Sequence, residues 1–299
     1  MPPGGIREVR YSSMDPIFFQ TCINGFILGS LYLLVALGLT LIFSIMGVIN
    51  FAHGEIFMLG GFATFFLREY YGVNFFLSLA LAMGILAAFG VLIERMIFRP
   101  LRGEALNLLV ISLGLSIVLQ NLALIFWGPE EQSYLMGFQG VVHVFGMVLS
   151  KERLVSFAIS AVLVVALYLF IGRTKTGKAL QAVAQDSEAA ALQGININQI
   201  NALTFGIGCA LAAAAGSTMG PIFLVSPFMG MMPVVKAFII IMLGGLGSVV
   251  GAVAGGLILG IAESFGATYL GATFQNMIGF VLLMSLLIFK PLGLFGYHE

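Results

Sequence analysis

The stretch LTLIFSIMGVINFAHGEIFMLGGF, residues 39–62, decides how this chain folds. Apolar residues fill both of its ends, but Gly47 and the polar residues Asn50, His53 and Glu55 interrupt the run. An uninterrupted apolar run would favour one continuous helix, whereas glycine and polar residues favour a break. The stretch therefore predicts a helix that is broken inside apolar surroundings.

The composition identifies those surroundings as a lipid bilayer. Hydrophobic residues make up 60% of the 299 positions and charged residues only 9%, whereas soluble domains carry about 25% charged residues. The net charge is zero, which gives no reason to expect nucleic acid or another polyanion as a partner. Cys22 and Cys209 lie far apart, and the three histidines lack metal-ligand spacing, so neither a disulfide framework nor a metal site is expected.

Apolar runs that could cross a bilayer recur along the chain. A hydrocarbon core of about 30 Å requires about 20 apolar residues per helix, and continuous rather than alternating runs argue against transmembrane strands. We predict an all-α integral membrane protein, a polytopic bundle of about eight transmembrane helices, two of them interrupted by glycine. The uninterrupted runs are 17–43, 75–93, 105–127, 154–172, 201–225 and 274–289, and the interrupted ones are 45–67 and 237–262.

The predicted organisation is a polar N-terminal lead, residues 1–16, followed by a single transmembrane domain, 17–295, which includes a cytoplasmic loop, 173–200. Basic residues beside short loops face the cytoplasm, and two spans separate the two basic loops of this chain. Segment 128–153 should then lie outside, with a short hairpin at 140–150. Counting spans places both termini outside as well. The basic loop residues are Arg95, Arg99, Arg102, Arg173, Lys175 and Lys178.

The longest polar stretch, GRTKTGKALQAVAQDSEAAALQGIN at 172–196, begins like the phosphate-binding pattern G-x-x-x-x-G-K-[ST]. That loop must follow a strand, and its last position must carry a hydroxyl group for magnesium. Here a long apolar span precedes it, and Ala179 occupies the hydroxyl position. A nucleotide site is therefore not expected in this chain.

The second half of the same stretch has a helical pattern. Residues 178–193 are rich in Ala, Leu and Gln, which favour helices. Asp186 or Ser187 can cap a second short helix, and Gly194 can end it. A solvated basic loop would not explain this pattern, so we predict one or two short helices outside the membrane. Their alanine-rich face suits close docking into a groove on another protein.

Several motifs together resemble the permease subunits of ABC importers. Glu188-Ala189-Ala190, followed by Gly194, is similar to a shortened form of the EAA motif of their cytoplasmic coupling loop. Residues 39–62 and the glycine-rich MLGGLGSVVGAVAGGLILGIAES at 242–264 resemble hallmark segments of branched-chain amino acid (Liv-type) permeases. The likeness covers about residues 17–295, although Gly194 follows the EAA sequence more closely than in the general motif.

The resemblance implies a function. The chain would form the translocation path for leucine, isoleucine or valine, or for a related small polar solute such as urea or an amide, and would couple that path to a separate ATPase. It would be no enzyme and would bind no cofactor itself, because ATP and Mg would be held by partner subunits. The residues that would contact the ATPase are Asp186, Glu188, Ala189, Ala190 and Gly194.

The resemblance also implies partners and a location. The partners would be two ABC ATPase subunits, a second permease subunit expected to be a homologous but different chain, and a periplasmic or lipid-anchored solute-binding protein. The location would be the bacterial cytoplasmic (inner) membrane, which the chain would cross many times. A stand-alone secondary transporter or channel is the alternative function. It would need more deep acidic residues or a repeated pore loop, and neither is evident.

The two interrupted regions are the candidates for the substrate path. Ionisable side chains at such depth cost about 2.5–3.5 kcal/mol on insertion scales and normally face a bundle interior or a cavity. Broken helices in transporters also expose backbone groups to substrates, often in two halves related by an internal repeat. The candidate residues are Asn50, Phe51, His53, Glu55, Gly244, Gly245 and Gly247.

Simpler interpretations remain open for these candidates. Asn50 to Glu55 can be a polar helix start at the cytoplasmic interface, and the glycines can serve only close helix packing. Glu94, Lys236 and Glu263 lie near span ends or starts, where we expect them to extend to the membrane interface.

Overall fold

The computed structural model describes residues 14–47, 49–144, 147–290 and 293–295, so most of the predicted N-terminal lead lies outside the described residues. A two-stranded antiparallel hairpin, β1 Val141–Val144 and β2 Met147–Ser150, is paired as predicted for 140–150. The helices are α1 Met14–Met46, α2 His53–Glu69, α3 Phe75–Ile93, α4 Ala105–Trp127, α5 Lys151–Arg173, α6 Lys175–Gln185, α7 Ser187–Leu192, α8 Ile197–Phe223, α9 Met231–Gly244, α10 Val249–Tyr269 and α11 Ala272–Phe289.

The described residues confirm an all-α, polytopic membrane protein. Seven of their helices are long and apolar enough to cross a bilayer, namely α1, α3, α4, α5, α8, α10 and α11. The remaining apolar helices are shorter: α2 has 17 residues and α9 has 14. Both short helices follow a break in the chain. The predicted count of about eight crossings therefore becomes seven long helices and two short ones.

Contacts between distant segments define two ends of the bundle. At the first, which we call the hairpin end, Gln20 Nε2 near the start of α1 donates to Val148 O in β2 at 3.2 Å. At the opposite end, Ser44 Oγ donates to Gly247 O at 3.2 Å, and a cavity beside this bond is also lined by Leu180 of α6. We call this the loop end, because α6 and α7 lie there.

Both breaks send the chain back into the bundle. After α1 ends near the loop end, α2 begins beside the last third of α1, where a Cβ atom on Gly38 would lie 2.9 Å from His53 Nε2. After α8 ends near the hairpin end, α9 begins against the start of α2, with the Gly54 and Gly230 backbones in contact. The segments α1–α3 and α8–α10 thus follow similar paths in opposite directions, which is the form of an inverted repeat.

The glycine-rich region 237–262 is a helical hairpin and not one interrupted crossing. α9 ends at Gly244, and α10 returns beside it, with Gly244 packed against Gly251 and the Ile240 carbonyl 2.6 Å from a Cβ atom built on Gly255. Because of this additional reversal, the chain traverses the bundle once more than the sequence predicted. Residues 293–295 consequently lie at the loop end, where Leu294 N donates to Leu243 O at 2.9 Å. The expectation that both termini lie outside is therefore wrong for the carboxyl-terminal end.

The segment between α4 and β1 packs over the hairpin end. Gln132 and Val225 exchange two backbone hydrogen bonds of 2.8 Å. The Tyr134 hydroxyl donates to Ser217 O of α8 at 2.6 Å. Burial raises the pKa of the Tyr134 phenol above its usual range, so this group stays a neutral donor. Trp127, the last residue of α4, stacks on Phe62 with ring centroids 4.5 Å apart.

Glu94 is fully buried, so the expectation that it extends to the membrane interface is wrong. Its two carboxylate oxygens accept from Arg99 Nη2 at 2.7 Å and from Arg102 Nη2 at 2.8 Å. Arg102 Nη1 also donates to Asn198 Oδ1 in α8 at 2.8 Å. A buried carboxylate needs such charge-assisted donors to offset its desolvation. The basic residues of this loop thus neutralise Glu94 and join the α3–α4 connection to the start of α8.

We predict that Gly208→Leu destabilises the fold, because a Cβ atom at this position would lie 2.8 Å from Gly38 O where α1 and α8 cross. Overpacking of this kind costs about 1–3 kcal/mol or more. The measurement is the midpoint temperature of unfolding of the purified protein in detergent. Gly84→Leu is the matched control, since nothing lies within 4 Å of a Cβ atom there. Equal midpoints for the two variants would contradict the prediction.

Candidate functional site

Residues 50–52 form a compact turn that leads into α2. Asn50 is buried, and its Oδ1 accepts from Ala52 N at 3.1 Å. Phe51 N donates to Ser112 Oγ in α4 at 3.3 Å, and the Phe51 ring packs on Phe238 of α9 with centroids 5.4 Å apart. The first interrupted region therefore contacts both α4 and α9. It lies inside the bundle and not at its surface.

His53 is fully buried against α1. Its imidazole lies so close to Gly38 that a side chain at that position would collide with it. Neither ring nitrogen has a hydrogen-bond partner among the described residues. The geometry packs His53 between α1 and α2.

Glu55 combines burial with an unused acceptor. Its side chain lies one turn into α2, and the residue is only 4% exposed. Oε1 accepts from Ser116 Oγ of α4 at 3.1 Å, whereas Oε2 has no partner among the described residues. A buried carboxyl group with one neutral donor is incompletely satisfied. Glu55 can therefore accept a further hydrogen bond, or pair with a cation, at the α2–α4 contact.

The glycines of the second interrupted region form the turn between α9 and α10. Gly245 and Gly247 have φ angles of 100° and 80°, which residues with a side chain rarely adopt. Gly244 packs backbone to backbone on Gly251. Close helix packing therefore accounts for Gly244, whereas Gly245 and Gly247 are required by the turn itself. They lie apart from Asn50–Glu55: along α9, Gly244 is six residues, about 9 Å, beyond Phe238, on which Phe51 packs, and 14 residues, about 21 Å, beyond Gly230, which contacts Gly54.

The polar loop consists of two short helices, as predicted. Thr174 caps α6, because its Oγ1 accepts from Gly177 N at 2.9 Å. Asp186 caps α7, because its Oδ1 accepts from the backbone N of both Glu188 and Ala189 at 2.9 Å. Gly194 follows α7 with a φ of 83°, which suits a helix stop.

The faces of α7 differ in exposure. Ala190 is buried and packs toward the bundle, so its side chain is not on the outer surface. Glu188 and Ala189 are exposed. Leu192, which the sequence analysis did not single out, is 88% exposed. Single exposed apolar side chains are common on protein surfaces, but at the end of this helical loop Leu192 is accessible to another protein. The sequence spacing indicates this exposure once Ala190 is known to be buried, because a residue two positions further along a helix lies on a different face.

Lys236 and Glu263 form an ion pair inside the bundle, so the expectation that they extend to the interface is wrong. Lys236 is 2% exposed and Glu263 is fully buried. Lys236 Nζ donates to Glu263 Oε1 and lies 5.9 Å from the centroid of the Tyr32 ring. The two residues meet because α9 and α10 are antiparallel. Sequence reasoning missed the pair because it treated 237–262 as one crossing.

Comparisons with known proteins agree with this architecture. The family model for "Branched-chain amino acid transport system / permease component" matches residues 21–289. The chain is 38% identical over 297 residues to the high-affinity branched-chain amino acid transport system permease protein BraD of Pseudomonas aeruginosa, covering 94% of this chain and 97% of that protein. It is 37% identical over 297 residues to the corresponding permease protein LivH of Escherichia coli, covering 94% and 96%.

A more distant relative has a different name. The chain is 26% identical over 290 residues to the high-affinity branched-chain amino acid transport system permease protein LivM of Escherichia coli, covering 88% of this chain and 67% of that protein. The match of the family model spans most of the chain, and the two nearer relatives are matched along nearly their full length. The chain therefore belongs to the family of permease components of branched-chain amino acid transport systems.

Proposed function

We propose that this chain is the transmembrane permease subunit of an ABC importer in the bacterial cytoplasmic membrane. It forms part of a path for leucine, isoleucine or valine, or for a related small polar solute. Two partner ATPases bind ATP and Mg and supply the energy. The observation that carries the proposal is the exposed helical pair α6–α7, with Leu192 at its tip, in a chain whose relatives are named branched-chain amino acid transport permeases.

The α6–α7 pair is packed closely against α5 and α8, so a displacement of the pair would move these two helices. A Cβ atom on Gly177 would lie 2.6 Å from Ile171 Cα, so α6 packs directly on the end of α5. α7 leads into α8 through a turn in which Asn196 Oδ1 accepts from Gln199 N at 3.1 Å. Movement of the ATPases against α7 would therefore displace α5 and α8 together.

The arginines of the α3–α4 connection extend this transmission. Arg99 Nη2 donates to Asn198 O at 3.2 Å, and Arg102 binds the side chain of the same residue. Both arginines also hold the buried carboxylate of Glu94. Displacement of the start of α8 would thus shift α4, which carries the serine that binds Glu55. This connection relates the loop end to the candidate path.

The peripheral helices suit further partners. Most of α11 and α4 is exposed at the surface of the chain. Of the 18 most apolar consecutive residues, 6% are buried in α11 and 22% in α4, against 83% in α1 and in α8. We propose that a second, homologous permease subunit covers part of this exposed surface. The existence of LivH and LivM in one organism supports a pair of different chains. A periplasmic or lipid-anchored binding protein would deliver solute at the hairpin end.

The proposed function is tested by reconstituting the chain with a second permease subunit, ATPase subunits and a solute-binding protein from the same organism. We expect ATP-dependent uptake of radiolabelled leucine into proteoliposomes, and none when the chain is omitted. Uptake that proceeds without ATP, driven by an ion gradient alone, would instead indicate a secondary transporter.

We predict that Leu192→Glu abolishes ATP-driven uptake and weakens co-purification of the ATPases on the order of tenfold or more, which corresponds to about 1.4 kcal/mol. The reason is that a charge replaces the exposed apolar contact at the tip of α7. Leu270→Glu, an equally drastic change at an exposed leucine near the hairpin end, serves as the control and should retain the ATPases. Normal ATPase association in the Leu192 variant would disprove docking through this residue.

We predict that Glu55→Gln lowers the uptake rate on the order of tenfold, about 1.4 kcal/mol in the barrier, without weakening ATPase association. The amide still accepts from Ser116 but loses the charge that Oε2 offers to a passing ammonium group. Glu69→Gln, an exposed position on the same helix, is the control and should transport normally. If both variants take up solute at the wild-type rate, Glu55 has only a structural role.

A further inference from the structure

Stabilisation of the contact between α9 and α10 does not explain the Lys236–Glu263 ion pair well. Removing two charges from water is costly, and apolar replacements of buried ion pairs are often neutral or stabilising. The two helices are already held by the close glycine contacts at Gly244 and Gly251. Ionisable residues inside membrane segments mark transport paths more often than structural contacts. The pair therefore points to a ligand.

A cavity lies beside the lysine. It has a volume of about 250 Å³ and opens onto the surface of the protein. Its walls come from α1, α2, α8, α9 and α11, so it lies where both halves of the inverted repeat meet. Most of the wall is apolar, and the polar exceptions are Lys236, Asn276 and Ser226. Residues that define its shape are Tyr32, Phe57, Met219, Met232, Lys236 and Asn276.

The lining has the chemistry of a site for a small amphipathic anion. A lysine ammonium group has three donors, and Glu263 occupies one of them. The other two make no hydrogen bond within the described residues, and Lys236 lines the cavity, so they are available to a carboxylate bound there. Methionine and phenylalanine side chains adapt well to a branched aliphatic group. The volume is below the roughly 300–1,000 Å³ of pockets for drug-sized ligands, which fits a solute of amino acid size.

We propose that this cavity, the Lys236 cavity, binds the carboxylate of an aliphatic amino acid during its passage through the membrane. Lys236 binds the carboxylate, and the methionine and phenylalanine wall holds the aliphatic side chain. Glu263 orients the Lys236 ammonium group while the cavity is empty. This assignment rests on the proposed function and adds a specific residue and a specific recognised group to it.

The first test measures binding to the assembled transporter in lipid nanodiscs, without the soluble binding protein. Radiolabelled L-leucine is displaced by L-leucine, by L-leucinamide, which lacks the carboxylate, and by dodecanoate, a lipid-like carboxylate. We expect L-leucinamide to compete at least about tenfold less well than L-leucine, the loss of about 1.4 kcal/mol. Equal competition by the two, or stronger competition by dodecanoate than by L-leucine, would overturn the assignment.

The second test removes the ion pair as a unit with Lys236→Met and Glu263→Leu together, so that no buried charge is left unpaired. We expect the discrimination between L-leucine and L-leucinamide to disappear, while assembly with the ATPases persists. Lys151→Gln, which removes an exposed lysine from the start of α5, is the control and should keep the discrimination. Discrimination that survives in the double variant would overturn the role of Lys236.

A third pair of variants leaves the charges untouched. Met232→Trp places a bulky ring in the mouth of the Lys236 cavity, whereas Met231→Trp alters the neighbouring side chain, which is exposed but does not line the cavity. We expect the first to abolish L-leucine binding and the second to preserve it. Equal L-leucine binding by both variants would contradict a site in this cavity, even if the double charge variant failed to fold.

The proposed function and this inference fail in different ways. If the wild-type assembly shows no ATP-dependent leucine uptake, the proposed function is wrong. If the wild-type assembly takes up leucine and the double variant does so with the same KM and the same discrimination in binding, only the role of the Lys236 cavity is wrong.

Discussion

The structure depends on the close approach of glycine backbones at two places, Gly38 on Gly208 and Gly54 on Gly230. In lipid the apolar surface of a helix gains little by burial against another helix, so association relies on close packing and polar contacts. The first glycine pair lets α1 and α8 cross at the centre of the bundle. The second lets the starts of two re-entrant helices meet. The other helices pack around this centre.

Three buried carboxyl groups inside this bundle have different partners, and their roles follow from that difference. Glu94 is bound by two arginines at the loop end and connects α3 to α8. Glu263 is bound by one lysine beside a cavity. Glu55 has only a serine hydroxyl group. A fully paired carboxylate is suited to holding helices together, whereas incompletely paired groups are suited to interacting with a solute.

The loop end carries the exposed surface of α7 close to the buried Glu94. α7 turns Ala190 toward the bundle and leaves Leu192 outside, so one short helix has both an anchored face and a free apolar tip. The same end holds the turn between α9 and α10 and the described carboxyl-terminal residues 293–295. The start of α8, in one half of the inverted repeat, is bonded there to Arg102 of the α3–α4 connection, which also binds Glu94 directly after α3 of the other half.

The class of protein, the positions of six of the seven long helices, and one or two short helices in the polar loop capped by Asp186 or Ser187 were predictable from the sequence alone. These follow from local rules: run length, composition, capping and helix-stop residues. The same rules identified the breaks near Asn50 and Gly245 but not what the breaks do. The re-entrant course of both breaks, the reversal within region 237–262 and the different orientations of Ala190 and Leu192 come from tertiary packing. It also decided that Lys236 meets Glu263 beside a cavity. Such pairings depend on how helices pack across long separations, and in a chain that is apolar on nearly every face, the hydrophobic pattern does not show which face is inside.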